Sequence, residues 1–207
     1  MRAKIYSDGS QLPDGGNSDP SDSKRYYYEA YGKADSTKKY GYLYNWAAAV
    51  NCSNPSDALN NSENNNFEMA QSICPTGWHV PTNGDWVTME TFLNGGTALN
   101  YGINQYLGTF AGKVACGAWN SSGYSQDNTT TSTPGNPYYL YRNTTGFSAL
   151  PADESVFGLR ARFWTSTNAS NTQTYTKISR WLFRTNPGIR YAADGANNKF
   201  SVRCIRD

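Results

Sequence analysis

The sequence predicts an α+β domain with its helices early and a twisted antiparallel sheet late. Three observations predict it. Helical periodicity is confined to the chain before Gly96, and its best example starts at "PTNGDWVTMETFL". After Gly96, short apolar and aromatic segments alternate with turn clusters such as "NSSGYSQDNTTTSTPGNP". The 207 residues suit one buried core, and no shift in composition demands a second.

Taken in order, residues 7–24 are polar and unpatterned and predict a loop or loosely held arm. "RYYYEAYGK" looks like a strand. "YGYLYNWAAAVN" sets Leu43, Trp46, Ala47 and Val50 at i, i+3, i+4 and i+7, which predicts a short helix. "NPSDALNNSENNNFEMAQS" is polar and predicts a surface loop. Thr82 and Asp85 resemble a capping box. Trp86, Met89 and Leu93 form the stripe of a second helix, which Gly95 and Gly96 end. Strands are expected at "RFWTST", "TKISRWLFRT" and "KFSVRCIR", and the chain contains no repeat of fixed period.

Only 16% of residues are charged while 14% are aromatic, and the net charge is +2. That balance leaves no electrostatic footprint for nucleic acid. The many Tyr, Ser, Gly and Asn residues are those that binding loops favour. No stretch is long enough to insert directly in a membrane, and "MRAKIYSDGSQLPDGG" lacks the pattern of a signal peptide. Either a leader has been trimmed or export takes another route.

Cys52, Cys74, Cys116 and Cys204 form no C-x-x-C pair and share the chain with one histidine, His79. Disulfides in an oxidising compartment are therefore expected rather than zinc. A Cys74–Cys204 bridge would tie the start of the ordered core to its end, while Cys52 and Cys116 form a second bridge or stay buried thiols. No metal or cofactor is expected.

Nor is catalysis. His79, between Trp78 and Val80, reads as a packed histidine bonded to a nearby carbonyl. Asp153 and Glu154 are adjacent and splay on a solvated loop instead of converging as an acid/base pair. Phosphate-loop, nucleophile-elbow and zinc-protease motifs are absent.

"SRWLFRT" at 179–185 poses the sharpest question. Alternation sets Arg180, Leu182 and Arg184 on one face and Ser179, Trp181, Phe183 and Thr185 on the other. By propensity alone the rings go inside and the arginines face water. Burying each ring would be worth roughly 2 to 3 kcal/mol, so displaying both wants a reason.

"KKYGYLYNWAAAV", "CPTGWHVPTNGDWVTM", "TGFSALPA", "FWTST" and the terminal "FSVRCIRD" occur in this order. Together they resemble the Fibrobacter succinogenes major paralogous domain over roughly residues 38–207, which implies 38–207 as the domain and 1–37 as an N-terminal arm or strand leading into it. The resemblance implies a C-type-lectin-like fold, with two helices packed on a small twisted antiparallel sheet, long irregular loops and a closing strand that carries the last cysteine. That fold is shared with formylglycine-generating enzymes, whose catalytic cysteines have no matching motif here. It also reverses the register inferred from propensity: counted back from "FSVRC", Arg180, Leu182 and Arg184 take scaffold positions, and Trp181 and Phe183 face out.

Such domains are recurrent targets of diversity-generating retroelements, and "RYAADGANN" at 190–198 looks like a rewritten run where relatives repeat asparagine. The expected function is a ligand-binding, receptor-recognition or adhesion module, extracellular or on a cell or virion surface. Its expected partner is a protein receptor in preference to a glycan. The expected contact residues are Ser179, Trp181, Phe183, Thr185, Gly188, Arg190, Tyr191, Ala192, Ala193 and Asp194. The alternatives are a structural module of a larger surface or phage fibre protein, a glycan-binding lectin and a cell-wall enzyme. Oligomeric state is not legible.

Overall fold

The structure, a computed structural model, describes residues 1–16, 24–52, 72–115, 119, 143–153, 158–169, 176–183 and 186–207. It is α+β, as the sequence predicts. The chain runs β1 (Tyr27–Glu29), a 3-10 turn, α1 (Ala34–Tyr40), β2 (Tyr42–Tyr44), α2 (Trp46–Val50), β3 (Trp78–His79) and α3 (Asn83–Leu93). It continues through β4 (Gln105–Leu107), α4 (Ala111–Val114), β5 (Arg160–Asn168), β6 (Thr176–Phe183), β7 (Ile189–Gly195) and β8 (Ile205–Arg206). The main sheet has the order β4-β7-β6-β5 with all neighbours antiparallel, and β1–β2 and β3–β8 form two small ribbons.

The early helix differs from its prediction. Leu43 lies in β2, not on the helix, because Gly41 at φ 84° turns the chain and Tyr42–Tyr44 pair with β1. The helix α2 begins only after Asn45, whose side chain accepts the Ala48 N–H, and it stops at Asn51 in the left-handed region. Two further helices, α1 and α4, are too short to show a periodic stripe in sequence. By contrast α3 has the predicted boundaries and a complete capping box. Thr82 Oγ1 accepts the Asp85 N–H at 3.1 Å, and Asp85 Oδ2 accepts the Thr82 N–H at 2.8 Å.

Strands β5 and β6 stand where alternation placed them. "KFSVRCIR" yields only β8 and isolated bridges, Tyr44 to Phe200 and Phe163 to Ser201, since this stretch threads between the main sheet and β2. The run at 190–198 is largely the regular strand β7. Tyr6 and Leu12 are buried in the core, so packing holds the described part of 7–24. The expected polar loops at 54–72 and 120–137 lie almost wholly outside the described residues.

One face of the main sheet packs on α3 and α4: Ala161, Phe163, Leu182 and Ile189 meet Trp86, Leu93, Phe110 and Val114. The other face is covered at one end by α2 and the chain around Phe200. There Trp164 stacks on Phe200 with centroids 4.2 Å apart, Trp46 Nε1 donates to the Thr165 carbonyl, and Trp164 Nε1 donates to the Tyr44 carbonyl. Burial along the strands follows from this. From Phe163 to Asn168 in β5 and from Lys177 to Arg180 in β6 every residue is buried; Arg160 to Arg162 and Trp181 to Phe183 alternate between buried and partly exposed. One half of this face therefore lies under α2, and the other half is open.

Cys74 and Cys204 form the expected disulfide, with Cα atoms 5.8 Å apart and 130 residues between them in sequence. Cys52 is buried, and Cys116 lies outside the described residues, as does the choice between bridge and thiols for that pair.

Candidate functional site

The alternation of β6 resolves with Arg180 inside. Arg180 and Leu182 are fully buried against α3 and α4, while Trp181 and Phe183 on the opposite face are only partly buried. A buried guanidinium needs a charge and acceptors. Arg180 Nε donates to Glu90 Oε1 at 2.8 Å and Nη2 donates to Asn83 Oδ1 at 2.8 Å, both from α3. The Tyr191 ring covers the guanidinium at 4.7 Å. Burial pushes the Glu90 carboxyl above the usual carboxylate range, against the pull of Arg180.

The open half of the outer face carries an ordered row. Register places Tyr106 of β4 opposite Arg190 of β7, Arg190 opposite Trp181 of β6, and Trp181 opposite Arg162 of β5. Rings and cations thus alternate across all four strands. The Arg190 guanidinium lies 5.8 Å from the Tyr106 ring and 4.6 Å from the Trp181 ring. Arg162 lies 5.2 Å from Trp181 and 4.2 Å from Phe200. Arg160, one pleat along β5, adds a third guanidinium 4.8 Å from Trp181.

Two carboxylates anchor this row. Asp153, with its side chain wholly buried, pairs with both Arg160 and Arg162, the latter at 2.6 Å. Asp194 accepts the Trp181 Nε1–H at 2.9 Å and the Ser179 hydroxyl. The indole N–H also lies 2.9 Å from Ser179 Oγ. Burial, the largest influence on Asp194, raises its carboxyl pKa against these hydrogen bonds and the nearby arginines.

The expected contact residues therefore divide. Trp181, Phe183, Arg190 and Asp194 share the open face. Ser179, Gly188 and Ala192 are buried, which corrects the expectation that they are exposed; Ser179 lies in the half of the sheet that α2 covers, and its hydroxyl also meets the Trp181 indole. Tyr191 and Ala193 pair with Arg180 and Ile178 and so belong to the face that meets α3. Thr185 lies outside the described residues, with Arg184.

Sequence reasoning missed Arg160, Arg162, Tyr106 and Asp153. The first two were legible: in "RARFW" alternation sets them on the side opposite Ala161 and Phe163. Asp153 was read as solvated, yet the two guanidiniums draw it inside; Glu154 lies outside the described residues. His79 is also corrected, since its ring nitrogens meet carboxylates and not a carbonyl: Nδ1 lies 2.6 Å from Asp207 Oδ1, and Nε2 lies 3.3 Å from Asp85 Oδ2.

Among the described residues no cluster of three or more His, Cys, Asp or Glu is placed to hold a metal ion, and no helix is long and apolar enough to cross a membrane. A concavity of about 710 Å³ beside the end of α3 is lined by Met89, Phe92, Lys113, Phe147 and Arg203, and contains none of the expected contact residues.

Residues 1–206 match the family model described as the Fibrobacter succinogenes major domain. Neither a curated protein nor a solved structure matches the chain.

Proposed function

We propose that this chain, which belongs to the Fibrobacter succinogenes major domain family, is a ligand-binding module that recognises its partner through the open half of the main sheet. The carrying observation is the row Tyr106–Arg190–Trp181–Arg162, in which partly buried guanidiniums bracket an indole on a surface left bare by α2. Desolvating three like charges around one ring costs stability. A binding role gives that arrangement a purpose. Trp and Arg are also the residue types that dominate binding hot spots.

The architecture is read as C-type-lectin-like, and the partner as a protein receptor met outside the cell or on a cell or virion surface. The Cys74–Cys204 bridge supports an oxidising setting. Binding without chemistry is the whole of the proposed activity. Diversification by a retroelement would act on partly exposed positions of β7 such as Arg190 and on the turn after it. A template repeat differing from the gene's 3′ end only at adenines, beside a reverse transcriptase, is what that part of the proposal requires.

The test compares labelled chains on a panel of whole cells. Wild type and Phe92→Ser, altered at an exposed ring away from the row, are expected to bind alike, and Trp181→Ser to lose binding while keeping its fold. Unchanged binding by Trp181→Ser overturns the proposal. So does a fall in Tm of about 10 °C or more, the shift that roughly 3 to 4 kcal/mol produces in a chain of this size, because the ring would then be core.

A further inference from the structure

Among the described residues the alternating row carries more cations than carboxylates. Arg160, Arg162 and Arg190 all lie within 5.2 Å of one indole centroid, and two carboxylates, Asp153 and Asp194, face them. Asp153 is engaged by Arg160 and Arg162, and Asp194 by Trp181 and Ser179. Arg190 has no carboxylate within ion-pairing distance among the described residues, and its Nε–H is buried without a hydrogen-bond acceptor. A desolvated donor without an acceptor is a standing cost that an incoming anion would relieve.

Resting on the binding role proposed above, we infer that this surface takes an acidic peptide segment of a protein partner, with a side-chain carboxylate seated at Arg190. The guanidinium fork offers parallel N–H groups that match a planar carboxylate. Guanidiniums from both neighbouring strands already lie over the Trp181 ring, so its faces are not free for a sugar to stack on. What the row still offers is N–H donors and, beside them, apolar area on Phe183 and on Tyr106, which is 38% exposed. A peptide supplies both complements within a few residues, an acidic side chain and an apolar one.

The experiment follows the Trp181 indole N–H signal by two-dimensional NMR of the full chain, assigned with Trp181→Phe, during titration with an oligoglutamate peptide. The signal is expected to move saturably with oligoglutamate and not with oligoglutamine, and raising salt is expected to weaken the response. Arg190→Gln is expected to weaken binding by at least about tenfold, as loss of a charge-assisted bond implies, and Arg206→Gln to leave it unchanged. Should Arg190→Gln fail to fold, the salt series and the glutamine control decide alone. An unmoved signal, an equal response to oligoglutamine, or undiminished affinity in folded Arg190→Gln overturns the inference; so does a response to oligogalacturonate where oligoglutamate gives none. Whole-cell binding that is lost with Trp181→Ser but kept with Arg190→Gln would sink this inference and leave the binding role standing.

Discussion

Arg180 and Glu90 show what a buried charge demands of its neighbours. Both side chains are fully buried, and the pair links β6 to α3. Arg180→Met is expected to cost about 3 to 5 kcal/mol in urea unfolding, because it strands a carboxylate in the core. Arg180→Met with Glu90→Leu is expected to recover most of that loss, since neither charge then needs solvation. A neutral single substitution would show that the pair holds nothing. The penalty has a pH dependence whose sign follows from the raised Glu90 pKa. A carboxyl raised in the folded state favours folding below its unfolded pKa and loses that contribution as pH rises through the folded value. Losing Arg180 raises it further, so the single variant approaches wild type in acid and falls away from it toward neutral pH.

Helix α3 does more than fill a layer. Its first turn carries Asn83 and its third carries Glu90, so the cap that fixes its start also fixes the acceptors of Arg180. Thr82→Ala is expected to lower stability by about 1 kcal/mol, measured by chemical denaturation, with Thr82→Ser close to wild type because the hydroxyl is kept. No change on removing the hydroxyl would mean that the helix start is held by packing alone. Strands β5 and β6 divide in the same way along their length: α2 covers one end, so Trp164 and Lys177 are buried, while at the other end Arg162 and Trp181 meet solvent. The five-residue helix α2 thus decides where the candidate site lies.

The disulfide closes the fold from Cys74, before α3, to Cys204, beside the last ribbon. With 130 residues between its ends, replacing both cysteines by serine is expected to cost about 2 to 5 kcal/mol, seen as a lower urea midpoint that matches reduced wild type. Equal stability of the oxidised and reduced chains would rule that contribution out. How much of this was legible depends on the range of the interaction. Local rules were enough for the α+β class, the Thr82 cap and the α3 stripe, and the positions of β5 and β6, because capping and periodicity are written in adjacent residues. The family register, read from motif order, set Arg180 and Leu182 inward. Contacts distant in sequence decided the rest: Glu90 as the acceptor for Arg180, Asp153 drawn in by two arginines, Ser179 and Ala192 buried within the sheet, and one row shared by four strands. None of these follows from spacing, since each depends on which strand lies beside which, and cross-strand register exists only once the chain has folded.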